Sequence, residues 1–299
     1  MRFDDQTSLG FVEAQTEKIE TQVFEKKYPE ITYARDIPVD TSGNKWISAV
    51  SFYSQDTIGQ AALINGKSDD VPMATLTREK HTVGISMAGI GYEFSDEEVG
   101  QAQMMGMDLS ADGAMAARRA YERFIDDLAY TGHPDVADGK GLYNLDGVTS
   151  TAAASAWGDA GTTAESILDD VNGLLTRIYE ATKGMERANV LHLPQASIAL
   201  LASARLSDHT DTTILEYLRR TNILTATTGE PLDIRGDHRL ADKAVAYRKD
   251  PDVLRLHLPM PLEFKAPQAK GLGYVVHGRF RVSGLEVRTP AAIQELTGL

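Results

Sequence analysis

The 299-residue chain has no cysteine. That alone excludes disulfides, thiolate nucleophiles, Cys-ligated zinc and iron–sulfur clusters. Aromatic residues are sparse at 7%, with two tryptophans. Long apolar runs are missing: stretches such as Ile198 to Ala202 fall far short of the roughly 20 residues a membrane-spanning helix needs. No basic segment followed by an apolar one opens the sequence, so no secretory signal is read. Positive charge is in the minority, with 30 basic against 43 acidic side chains and a net charge of −13. Such a surface repels phosphate, which argues against sequence-specific nucleic-acid binding. What is present, 42% apolar and 24% charged residues, is the composition of a soluble folded chain. It has enough apolar mass for a large core and about two domains' length.

Residues 1–32 are polar, with four basic and seven acidic side chains. Val12, Ile19 and Val23 stand seven and four apart, which fits either a short amphipathic helix or a mobile arm. Between 46 and 94 the pattern changes. Trp46, Ile47, Val50, Phe52 and Tyr53 favour strand, as do Thr82, Val83, Ile85, Ile90, Tyr92 and Phe94. Ile64 to Pro72 is turn chemistry. The two runs read as one long hairpin. A leg of about 12 residues reaches roughly 40 Å, whereas a compact chain of this length has a radius of gyration of about 19 Å. The hairpin must therefore leave the body or fold back on itself.

Ser95 opens a helix with Asp96, Glu97 and Glu98 in its first turn, where the helix dipole favours acids. A second helix starts near Asp108 to Ser110. Ala114, Ala117, Tyr121, Phe124 and Leu128 form its apolar stripe, and Gly132-His133-Pro134 ends it. Its other face, with Arg118, Arg119, Glu122, Arg123, Asp126 and Asp127, reads as solvated or subunit-facing. Residues 132–161 are loop-rich. Thr162 to Glu165 has capping-box spacing; the helix behind it buries Ile167, Val171, Leu174 and Ile178, and Gly184 can end it. Helices are read near 195–205 and 212–221, the latter capped by Asp211. Strands are read at 189–193, 231–235, 243–248, 253–258, 272–277 and 279–288. Helices and strands mix without a βαβ rhythm, so the fold class is α+β.

The spacings of known chemistry are absent. The seven histidines are scattered with none paired at i+4, so no metal site is expected. Gly89-Ile90-Gly91 begins like a dinucleotide fingerprint, but Phe94 stands where the third glycine belongs and no helix N-terminus follows. Gly139-Lys140-Gly141 lacks the spacing and hydroxyl of a phosphate-binding loop. Gly84 to Ala88 is a near miss to a nucleophile elbow, but strand residues follow Ser86 where a helix is required. The pairs Asp69/Asp70, Asp126/Asp127 and Asp169/Asp170 are immediate neighbours, whose side chains diverge in a helix or a strand. No EF-hand spacing surrounds Asp135, Asp138 or Asp146. No catalytic residue and no cofactor are expected. A polar arm, a projecting hairpin and a rod helix make sense if another copy of the chain covers them, since an exposed strand edge invites pairing.

Several blocks in order resemble one family. They are Ala34-Arg35-Asp36-Ile37-Pro38-Val39-Asp40-Thr41-Ser42, Ala102-Gln103-Met104-Met105-Gly106-Met107, Ala117-Arg118-Arg119-Ala120 and Gly141-Leu142-Tyr143-Asn144. Further blocks are Leu200 to Asp208, Asp211 to Leu218, Tyr247-Arg248-Lys249-Asp250-Pro251, Leu256 to Phe264 and Gly284 to Ala292. Together they resemble the major capsid proteins of tailed phages and prophages, with the Hong Kong 97-type coat fold. The resemblance implies an N-terminal arm at 1–45 and an extended β-hairpin loop at 46–94 that overlaps a neighbouring subunit. It implies a peripheral domain at 95–139 with a spine helix, an axial domain at 140–245 and C-terminal strands at 246–299 that return to the peripheral domain.

The function it implies is self-assembly, through pentamers and hexamers, into an icosahedral shell around double-stranded DNA. The protein would reside in the virion after assembly in the host cytoplasm. Expected partners are the portal, a separate scaffolding protein (the arm being too short to hold a fused one), a possible decoration protein and non-specifically packaged DNA, with no membrane. Some coats of this fold crosslink Lys to Asn; Lys67 would be the candidate here. Trp46, Phe52, Tyr53, Ile64 and Arg78 are the expected subunit contacts. Regional charge fits such packing: residues 95–130 carry three basic and eight acidic side chains, and 253–299 six and three. Opposite regions can steer association. The alternatives are an encapsulin-type compartment and a serine hydrolase using Ser86.

Overall fold

A computed structural model describes residues 28–63, 71–105, 109–136, 139–159, 161–207 and 209–299. The helix or arm read around Val12 to Val23, the expected contact Ile64 and the crosslinking candidate Lys67 lie outside the described residues. The chain divides into Met1–Glu30 and Ile31–Leu299, and the described helices and strands belong to the second unit.

In chain order these begin with α1 (Tyr33–Asp36), β1 (Val39–Asp40), β2 (Ala49–Ile58) and β3 (Thr75–Ser95). Next are α2 (Asp96–Met105), α3 (Leu109–Thr131), β4 (Thr149–Ala152), α4 (Ala164–Ala181), β5 (Val190–Pro194) and α5 (Gln195–Ser203). Then follow α6 (Ile214–Arg220), α7 (Ile223–Thr228), β6 (Asp233–Asp237), β7 (Lys243–Tyr247), β8 (Leu254–His257) and β9 (Met260–Phe264). β10 (Gln268–Ala269), β11 (Gly273–Ser283), β12 (Leu285–Val287) and β13 (Ile293–Thr297) end the chain.

One mixed sheet, in the order β4-β13-β7-β5-β6, divides two apolar cores. Alternation does the dividing, because successive strand side chains point to opposite faces. Val190, Val245, Tyr247 and Ile293 face a core that includes Tyr121, Ile125 and Leu128 of α3 and Phe280 of β11. Leu191, Leu193, Ala244, Ala246 and Leu296 face a second core, built on Ile167, Val171, Leu174 and Ile178 of α4. The α4 positions recur every three or four residues, as a helix with one buried stripe requires.

β3 has 21 residues and two partners in succession. Its first half pairs with β2 from Ala49↔Gly84 to Ile58↔Thr75, and its second half pairs with β11 from Ser283↔Ile85 to Gly273↔Ser95. The same strand is thus a core strand at one end and half of a projecting ribbon at the other. β11 runs unbroken through Gly278, where the sequence suggests two separate strands. The glycines explain this: a Cβ at Gly278 would stand 2.5 Å from the Ile90 carbonyl oxygen, and one at Gly91 2.5 Å from that of Val276. Here glycine lets two strands approach closely rather than turn.

Other boundaries shift for local reasons. α4 is capped by Thr163, whose hydroxyl accepts from the Ser166 N–H at 3.2 Å, while Thr162 turns its own hydroxyl to the Ala156 carbonyl. α6 is capped by Thr213 rather than Asp211, because Arg205 and Thr213 form a backbone bridge that holds the entry to the helix. β4, α7, β9 and β13 have no counterpart in the sequence reading. β4 and β13 pair in parallel across some 145 positions, a contact that no local pattern announces.

The charged face assigned to the rod helix α3 is not uniformly solvated. Asp126 is buried, since the segment leading into α1 lies against it: its carboxylate accepts from the N–H groups of Thr32 and Tyr33, both at 2.9 Å, and pairs with Arg239. Nearby, the Tyr130 hydroxyl donates to the buried Asp36 carboxylate at 2.5 Å, Arg235 pairs with the same carboxylate, and the Tyr247 hydroxyl donates to the Asp36 carbonyl at 2.9 Å. The Tyr143 hydroxyl donates to Asp237 at 2.6 Å and meets His192 Nδ1 at 2.8 Å, so Nδ1 must carry the imidazole proton. His192 Nε2 then lacks a hydrogen-bond partner among the described residues. These bonds fasten residues 32–40 to the body.

Two measurements check this account. Burial pushes the pKa of His192 down to about 4, below the unfolded value of about 6.5. Between these values the unfolded chain binds more protons, so stability is complete above about pH 6.5 and falls as the pH drops toward 4, by on the order of 3 kcal/mol. Denaturant titrations of unassembled subunits across that range should show the loss, and His192→Gln should flatten it. Asp126→Ala leaves the Thr32 and Tyr33 N–H groups without their acceptor and removes one carboxylate from Arg239, which keeps Asp237, so it should cost about 2 kcal/mol or more in the same assay.

Candidate assembly interface

Ten residues of β2 pair with ten of β3, giving a ribbon about 34 Å long by strand rise. Beyond Phe52 and His81, every described residue of the ribbon and of its approach to the tip, 53–63 and 71–80, is exposed. Both faces are therefore uncovered along that length. Among the described residues both edges are open as well, since β11 pairs with β3 only from Ile85 onward and β2 ends its sheet. A free two-stranded ribbon is marginal in water, and open edges are templates for further pairing.

Register sorts the side chains by face. Tyr53, Gln55 and Thr57 lie opposite Lys80, Arg78 and Leu76; Ser54, Asp56 and Ile58 lie opposite Glu79, Thr77 and Thr75. The first face carries the cations and the second the carboxylates. Large apolar side chains decorate the projection: Tyr53 is 67% exposed, Met73 81% and Leu63 fully.

The five contacts expected from sequence divide accordingly. Tyr53 presents free surface. Arg78 is exposed and its Nε donates to Gln55 Oε1 across the ribbon at 3.0 Å. Trp46 is not in a strand: its N–H donates to Asn44 Oδ1 at 2.9 Å, an Asx turn, and Arg279 lies over its ring at 5.0 Å. Phe52 stacks on His81 at 5.0 Å, with the Arg288 guanidinium 4.9 Å from its ring centre. Trp46 and Phe52 thus make much of their contact inside their own chain, and Ile64 lies outside the described residues. Ile58, Leu63, Met73 and Leu76 are the exposed apolar residues the sequence reading missed. The available signal was their position beside the turn, where apolar side chains have no body to cover them.

No catalytic alternative gains support. Ser86 sits in mid-strand opposite Val282, and β3 continues to Ser95, so the elbow geometry is absent. The Tyr143–His192–Asp237 cluster joins titratable groups, but His192 and Asp237 are buried, and Asp237 is already held by Tyr143 and Arg239. Among the described residues no group of His, Asp or Glu could hold a metal ion, and no helix is long and apolar enough to cross a membrane.

If this sorting is right, Tyr53→Ala should move the unfolding free energy of the isolated subunit by less than about 0.5 kcal/mol. Phe52→Ala should cost about 1 kcal/mol or more through its lost ring contacts. Paired urea titrations separate the two.

Comparison with known proteins agrees with this shape. No curated protein matches the chain. Among solved structures, the capsid of Myoviridae phage XM1 overlays with a TM-score of 0.81 at 19% identity, covering 96% of this chain and 98% of that one. Microbacterium phage Oxtober96 overlays with 0.66 at 11% identity, covering 99% of each chain. A virus-like particle from Pyrococcus furiosus overlays less well, with 0.54 at 15% identity over 88% and 91%. The fold is thus the Hong Kong 97-type coat fold, and the compartment alternative gains no advantage. The profile of the family described as Major capsid protein matches residues 59–299, and the chain belongs to that family of viral shell proteins.

Proposed function

We propose that copies of this chain assemble as pentamers and hexamers into the closed icosahedral shell of a tailed phage, around double-stranded DNA. The uncovered ribbon is the observation that carries the reading. It supplies two open edges and two exposed faces of opposite charge sign, which only another polypeptide can satisfy. A neighbouring copy is the partner always present at the required stoichiometry. In this reading residues 46–94 overlap the neighbour, 95–139 with 246–299 make the peripheral region around α3, and 140–245 form the axial region. The two cores cut across that division, since β13 of the C-terminal stretch pairs with β4 and β7 of the axial region. Residues 1–45 would be the arm, its root fixed by the bonds around Asp36 and Asp126.

Shell closure makes weak contacts sufficient. Each contact need hold only modestly, because the remaining contacts of a subunit keep it at high effective concentration. Weak contacts also release misplaced subunits. The net charge of −13 keeps the coat from gripping its genome, which suits DNA that must enter and leave. A portal, a separate scaffolding protein and a decoration protein remain partners of the proposal.

Deleting residues 65–72 should leave soluble, folded subunits that fail to form regular shells in negative-stain images. Normal shells from that variant would remove the ribbon from the assembly mechanism.

A further inference from the structure

A chain of contacts joins the ribbon to the N-terminal segment through the interior of the small β1-β8-β12 sheet. Asp40 and His257 are register partners in β1 and β8. Asp40 Oδ2 lies 3.3 Å from His257 Nδ1, and His257 Nε2 lies 2.5 Å from Glu286 Oε2. Glu286 is 1% exposed, and its Oε1 accepts from Arg288 Nε at 2.5 Å. Burial raises the pKa of Glu286, but hydrogen bonds from His257 and Arg288 more than offset this and keep the carboxyl below its ordinary range. The Arg288 guanidinium ends this chain against the face of Phe52, whose other contact is His81 on the opposite strand. Phe52 is the last half-buried position of β2 before the fully exposed length begins. Its contact is therefore the outermost point at which the body touches that strand.

We propose that Arg288 is a positioning residue for assembly: it braces the root of the β2/β3 ribbon against the buried His257–Glu286 pair and the half-buried Asp40 behind it, a three-residue relay, so that docking of residues 39–40 on β8 sets how firmly the ribbon is aimed. A small displacement at the root is amplified along the roughly 20 Å of fully exposed ladder beyond Phe52, residues 53–58 with 75–80. Arg suits this place because its planar guanidinium can bond a carboxylate and stack on a ring at the same time. The consequence for shells rests on the function proposed above; the coupling itself is a property of the lone subunit.

Amide exchange of unassembled subunits, followed by mass spectrometry on peptides covering 49–58 and 75–84, tests it. Arg288→Met should raise ribbon exchange about tenfold, and Arg288→Lys, which keeps a cation over the ring, should return it toward the starting rate. Phe52→Leu should raise it similarly while exchange in 254–257 and 285–287 stays unchanged, which a general loss of stability would not allow. Asp40→Asn should raise ribbon exchange in the natural chain and add nothing in the Phe52→Leu background. Additive effects, or an Asp40→Asn variant with unchanged ribbon exchange, would overturn the relay. Coupling present in subunits that never form shells would uphold it and instead count against the shell function.

Discussion

Backbone hydrogen bonding on β3 constrains everything else in this molecule. A strand of 21 residues needs partners along its whole length, and the body supplies β11 for only one half. Among the described residues the other half receives β2 and nothing more. Because the strand is continuous, the ribbon cannot be folded back without breaking pairs that also belong to the core. The subunit is thus committed to a projection it cannot cover. In the proposed shell that commitment converts a folding problem into an assembly problem, the exposed side chains and open edges being left for a second copy to cover.

The N-terminal segment is treated in the opposite way. Residues 32–40 are clamped by carboxylates and tyrosines that would be costly to bury singly. Asp126, Asp36 and Asp237 each find a cation or a hydroxyl, and His192 stays neutral among them. The result is a fixed root for whatever precedes residue 31. The fixed root and the projecting ribbon meet in the short sheet of β1, β8 and β12, where Asp40, His257, Glu286 and Arg288 adjoin. The N-terminal segment and β2, close in sequence, share one support drawn from the far end of the chain, β8 and β12.

Legibility in the sequence followed the range of the interactions. The ribbon was readable because β-branched and aromatic residues flank a run of turn residues, and α3 because its apolar stripe repeats over about four turns. Both are local signals. The caps slipped by one or two residues because neighbouring threonines compete, and Thr163 and Thr213 won through contacts made elsewhere. Asp126 looked solvated because its partners are the N–H groups of residues more than 90 positions away. The ring contacts of Trp46 and Phe52 within their own chain were not legible because their partners, Arg279 and Arg288, arrive from the other end of the chain. β4 and β13 were invisible for the same reason. The resemblance over blocks from Ala34 to Ala292 compensated where local physics could not, since order along a chain carries long-range information that periodicity lacks.

The central claim is that the ribbon is left bare by its own chain and covered by another. Backbone exchange at residues 53–58 and 75–80, measured in free subunits and again in purified shells, addresses it directly. The account predicts rapid exchange in the free subunit and strong protection in the shell, with the cores on either side of the β4-β13-β7-β5-β6 sheet protected in both. Equal protection of the ribbon in the two states would contradict it, because the cover would then come from within the subunit itself.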